Sequence, residues 1–74
     1  MNISQETLDR WADNCLHMNH LGTLVQRELQ AGDLARAADL AERARARAWA
    51  MLNEMFEAGA SRPTGYAEPG AGGA

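Results

Sequence analysis

The sequence predicts an all-α protein: an antiparallel two-helix hairpin that pairs into a dimeric four-helix bundle and carries a disordered C-terminal tail. Three observations predict it. Apolar or small residues at Leu8, Trp11, Cys15, Met18, Gly22, Val25 and Leu29 recur at alternating spacings of three and four, which lines them up along one helical stripe. Leu34, Ala37, Ala41, Ala44, Ala48, Met51 and Met55 repeat the pattern. Between the two series lies "AGD", a turn so short that the helices must run antiparallel.

Each end has a chemical reason. Ser4 is a candidate N-cap for the first helix, with Glu6 in a first turn where negative charge suits the dipole. Gly32 suits the left-handed position that closes a helix, and Asp33 suits the N-cap that opens the next. Gly59, followed by Pro63, stops the second helix. The expected boundaries are helices at about 4–31 and 33–58 within a hairpin of residues 1–59, each helix roughly 38 Å long at 1.5 Å per residue. Residues facing across such a hairpin have numbers with a constant sum. Leu29 with Leu34, Gly22 with Ala41, Cys15 with Ala48 and Leu8 with Met55 all give 63. The small middle layers predict closest approach near Gly22 and Ala41. Residues 60–74, rich in Gly, Pro and Ala with one aromatic at Tyr66, read as a flexible tail.

Composition narrows the function. A chain of 74 residues buries little surface and needs a staple or an oligomer. Cys15 is its only cysteine, so no internal disulfide can serve. A net charge of −3 runs against a generic nucleic-acid binder. All seven basic residues are Arg, which excludes lysine Schiff-base chemistry. The N-terminus lacks the basic and apolar regions of a signal peptide, and no apolar run reaches the length of a membrane span. The expectation is a soluble cytoplasmic protein.

The stretch "DNCLHMNH", Asp13 to His20, gathers a thiol, two imidazoles and a carboxylate in eight residues. At roughly 100° per residue, Cys15 falls near the centre of the apolar stripe while His17 and His20 fall on the opposite side. The thiol therefore cannot share a metal with either histidine of its own chain. Asp13, His17 and His20 do share a face, but a closed site needs four ligands, and a second chain would have to supply the rest. The expectation is no metal, no cofactor and no enzyme, for there is also no glycine-rich phosphate loop and no usable nucleophile–base pair.

Apolar residues left over from the stripes point to an interface. Ala38, Trp49, Leu52 and Phe56 lie beside the second stripe, with Ala12 and Leu16 on the corresponding side of the first and Arg45 among them. Such a patch is expected to meet a second copy, a partner protein or a folded-back tail. The opposite side of the second helix interleaves Arg36, Arg43 and Arg47 with Asp39, Glu42 and Glu54. Pairs such as Arg36 or Arg43 with Asp39, and Glu42 with Arg45, are expected of a self-paired surface. The alternative reading is a nucleic-acid contact through Arg36, Arg43 and Arg47.

"AGDLARAADLAERA" (Ala31 to Ala44) resembles the turn and second helix of a tetratricopeptide repeat, with Gly32, Asp33, Ala37 and Ala44 at the turn and small packing positions. The resemblance covers about a fifth of the chain. Upstream, Leu21, Leu24 and Val25 stand where that family places Trp, Leu and Gly, and no second repeat follows. What it implies is protein-binding work with no particular ligand. The expected function is a small protein–protein interaction module that regulates or inhibits a partner, as a homodimer. The alternative is a dimeric hairpin that binds structured RNA or DNA.

Overall fold

A computed structural model describes residues 3–61 of the chain. The expected tail beyond Ser61, Tyr66 included, lies outside the described residues. Helix α1 spans Gln5–Gln30 and helix α2 spans Leu34–Glu57, packed against each other as a hairpin. Both N-caps come from the predicted residues. Asp33 accepts a hydrogen bond from the Arg36 amide at 2.9 Å, and Ser4 accepts one from Thr7 at 3.1 Å, which satisfies amides the helices leave unpaired.

Both helices end alike. Gly32 takes φ +79° and donates to the Leu29 carbonyl, while the Asp33 amide reaches back to Glu28. Gly59, at φ +115°, donates to Phe56, and Ala60 reaches back to Met55. This is the Schellman arrangement, whose left-handed residue costs least as glycine. Asp33 thus closes one helix with its amide and opens the next with its carboxylate, which is why the reversal needs only three residues.

The axial register agrees with the sequence, but the rotation of the helices does not. Bonds that cross the hairpin join Arg10 to Glu54, Trp11 to Glu54 and Asn14 to Arg47, so the paired numbers add to 64, 65 and 61, around the expected 63. The seam on α1, however, runs through Thr7, Trp11, Asn14, Met18, Leu21, Val25 and Glu28, which are buried or half-buried. Leu8, Cys15, Gly22 and Leu29 are exposed instead. On α2, Leu40 is buried where Ala41 was expected, and Leu34 is 72 % exposed. Each helix is turned by roughly 50°, half the rotation between neighbouring residues.

The physical reason is visible in the core, which consists of Leu21, Ala37 and Leu40 among the described residues. Burying Leu21 and Leu40 removes far more apolar surface from water than burying their neighbours Gly22 and Ala41. The predicted close approach at Gly22 is therefore absent: a Cβ added there would meet nothing within 4 Å. Gly22→Ala is accordingly expected to raise stability by about 0.5–1 kcal/mol through helix propensity, read as a higher thermal midpoint. A fall in the midpoint would restore the rotation that the sequence predicted.

Candidate functional site

The turned helices give the hairpin two unlike sides. On one side the positions next to the seam are Leu8, Cys15, Gly22 and Leu29 of α1 and Leu34, Ala41, Ala48 and Met55 of α2. In an antiparallel pair these two rows lie on the same side, and neither contains a polar side chain other than the thiol. Leu8, Leu29 and Leu34 are 43 %, 53 % and 72 % exposed. Ala12 and Ala38, also exposed, extend the surface outward, and half-buried Leu52 stands beside them.

The sequence placed its interface on Ala12, Leu16, Ala38, Arg45, Trp49, Leu52 and Phe56. The structure brings Ala12, Ala38, Arg45 and Leu52 to the flank of this apolar side. Leu16, 69 % exposed, sits farther round α1. Trp49 and Phe56 are half-buried and each makes an interaction within the chain. Arg45 donates two hydrogen bonds to the Glu42 carboxylate, an i,i+3 pair. It therefore brings its own counter-ion to the edge of the apolar surface.

The other side holds a cleft of about 410 Å³, lined by Arg10, Trp11, Asn14, Arg47, Met51 and Glu54 among others, Asp13 and His17 included. Glu54 is its most engaged group. It accepts from the Arg10 guanidinium and, at 2.7 Å, from the Trp11 indole N–H. Those two hydrogen bonds, Arg10's first, hold the Glu54 carboxyl below the usual carboxylate range. Asn14 donates to the Arg47 carbonyl at 3.2 Å and accepts from the Arg47 guanidinium at 3.1 Å, so one amide grips both ends of the same residue.

Sequence reasoning passed over this network because Arg10 and Asn14 lie off the expected apolar stripe, while Arg47 and Glu54 read as part of an interleaved charged side of the second helix. The register contained the clue: with numbers adding to about 63, an Arg falls opposite a Glu and an Asn opposite an Arg, one pair on each side of Trp11.

The Glu54 network has a testable acid dependence. Its folded-state pKa lies below the unfolded value near 4.5. The stability it contributes is therefore present above that value and lost as pH falls through the folded one. Glu54→Gln is expected to flatten the fall in thermal midpoint as pH drops below the usual carboxylate range. Glu42, also lowered by its hydrogen bond from Arg45, leaves a residual slope of the same sign. An unchanged profile in Glu54→Gln would remove Glu54 as a contributor.

The remaining predicted residues are dispersed. Asp13 and His17 line the cleft but His20 does not, and no group of three or more His, Cys, Asp or Glu among the described residues is placed to hold a metal ion. Cys15 is exposed. Arg36 and Arg43 both pair with Asp39, at 3.8 and 3.2 Å, as the sequence anticipated, whereas Arg47 turns to Asn14. The arginine stripe is thus divided between two arginines that share one carboxylate and a third at the cleft. No described helix is long and apolar enough to cross a membrane. No family model, curated protein or solved structure matches the chain.

Proposed function

We propose that the chain is a non-enzymatic protein–protein interaction module that works as a homodimer and regulates or inhibits a partner protein. The observation that carries this reading is the apolar side formed by Leu8, Cys15, Gly22, Leu29, Leu34 and Ala41, all exposed in the single hairpin. A core of three buried residues among those described is too small to hold a chain of this size without an oligomer or a staple. The surface that would enlarge it runs the length of both helices.

Its dimensions fit a second copy. A 26-residue helix is about 39 Å long, and two helices 8–10 Å apart present a face roughly 18–20 Å wide. That is about 700 Å² per chain and about 1,400 Å² in all, within the standard range for a stable interface. A face made of two antiparallel rows has an approximate two-fold of its own, so two hairpins can stack it against itself as a four-helix bundle.

Several features support a binding role over catalysis. Among the described residues, the clearly shifted titrating groups are Glu42, Arg45 and Glu54, all held in surface ion pairs, and the one thiol is exposed. The nucleic-acid alternative loses support from the shared Asp39, which offsets one of the two charges of Arg36 and Arg43.

The reading predicts a thermal midpoint that depends on concentration, since association stabilises only the folded chain. Thermal melts followed by circular dichroism over a roughly hundredfold range of chain concentration are expected to shift upward by several degrees as concentration rises. A constant midpoint would show a hairpin that stands alone.

A further inference from the structure

We propose that residues 62–74 dock back on the open end of α2, with the Tyr66 ring seated among Trp49, Asn53 and Phe56. The observation that carries this is a change of exposure along one helix. Residues eighteen apart in an α-helix point the same way, because that spacing makes about five turns. Leu34 and Leu52 are such a pair, and Leu34 is 72 % exposed while Leu52 is half-buried. Ala35 with Asn53 and Ala38 with Phe56 repeat the contrast: the first of each pair is exposed and the second half-buried. Every residue from Met51 to Phe56 is half-buried, so the cover at this end goes all round the helix.

Helix α1 cannot supply that cover. Among the described residues it is the element packed against α2, and it lies on the side of buried Ala37 and Leu40. At roughly 100° per residue, Asn53 points roughly 170° away from that side. Trp49, one turn before Asn53, is half-buried as well.

Chain continuity selects the occupant. Helix α2 ends at Glu57, and the left-handed Gly59 and the Ala60 amide bonded to Met55 turn the chain beside this patch. From Glu57 back to Trp49 is about 12 Å along the axis, and residues 62–74 can reach about 40 Å. A tethered segment meets its site at an effective concentration of about millimolar, which favours it over a free partner of equal affinity. Tyr66 is the one aromatic in the segment, and a ring beside Trp49 and Phe56 gains packing beyond its buried area. Pro63 and Pro69 reduce the entropy lost on docking. The patch lies roughly 80–140° round α2 from Ala48, so the rows assigned to the dimer face stay open and this inference does not rest on the homodimer reading.

The test is nuclear magnetic resonance of the full chain. Nuclear Overhauser contacts are expected between the Tyr66 ring and the rings of Trp49 and Phe56. In a sample mixing labelled and unlabelled chains, they are expected within one chain. Tyr66→Ala is expected to shift the Trp49 indole N–H resonance and to leave that of Trp11 in place, the two being told apart with Trp49→Phe.

Absence of the contacts, or a Trp49 resonance indifferent to Tyr66→Ala, would overturn the proposal. Contacts that arise only between chains would overturn it too, by making a second copy the occupant. The solution mass of the same sample keeps the homodimer reading separate. Contacts within the chain of a monomer end that reading alone, and a dimer without them ends this one alone.

Discussion

Leu29→Glu together with Leu34→Glu is expected to reduce the protein to the mass of one chain. Leu29 is 53 % exposed and Leu34 72 % exposed in the single hairpin. If the hairpin were the whole protein, a charge at either position would therefore meet water, with an effect within about 0.5 kcal/mol. In the proposed dimer both positions are covered, and each occurs twice across a two-fold interface. Loss of even half the burial of four leucines amounts to about 4 kcal/mol. That weakens association roughly a thousandfold, before the cost of placing four carboxylates against apolar surface is added. The measurement is sedimentation equilibrium of wild type and variant at matched concentrations. A variant that keeps the wild-type mass would place any interface elsewhere.

Leu40→Ala is the second large expectation. Leu40 is 3 % exposed and belongs, with Leu21 and Ala37, to a core of three residues. Truncating a buried leucine costs about 2–5 kcal/mol, against a total that rarely exceeds about 3–5 kcal/mol for one small core. The variant is therefore expected to lose most of its helical circular dichroism at 25 °C, or to need much higher concentration to keep it. The same change next door is expected to be mild: Ala41→Gly removes a methyl group from an exposed helical position and costs about 1 kcal/mol through propensity alone. If the two variants lost similar stability, the rotation of α2 described here would be incorrect.

That contrast marks what the sequence could and could not tell. The caps were legible because Ser4, Gly32, Asp33 and Gly59 are residue types selected by local backbone geometry, which acts within a few residues. The register was legible because a three-residue reversal leaves little freedom along the axis. The rotation was not. The stripe read from the sequence and the stripe in the structure share Trp11, Met18 and Val25 on α1, and Ala37, Ala44 and Met51 on α2. They differ in whether Leu8, Cys15, Gly22 and Leu29 or Thr7, Asn14, Leu21 and Glu28 complete the row.

Counting apolar residues favours the first set. The structure takes the second because one Leu21–Leu40 layer outweighs the small residues beside it, and because Asn14, Arg47 and Glu54 can cross the seam edge with their polar ends satisfied. Long polar side chains that cover apolar surface while bonding at their tips look solvated to any residue-by-residue count. The cleft was hidden for the same reason.

The rotation also moves the functional argument. The sequence drew attention to Trp49 and Phe56, whereas the structure exposes a longer and plainer surface of leucine, alanine, glycine and one thiol. That surface explains why so regular an apolar pattern can exist on rows the hairpin itself leaves uncovered. A stripe that one chain does not bury needs a second surface to bury it.

The most direct test of this account is the solution mass of the full chain, measured by light scattering coupled to size exclusion. A mass of twice the 8.0 kDa chain, falling toward the single-chain value on dilution, is the predicted result. A mass of 8.0 kDa at every concentration, with the helices intact, would contradict it.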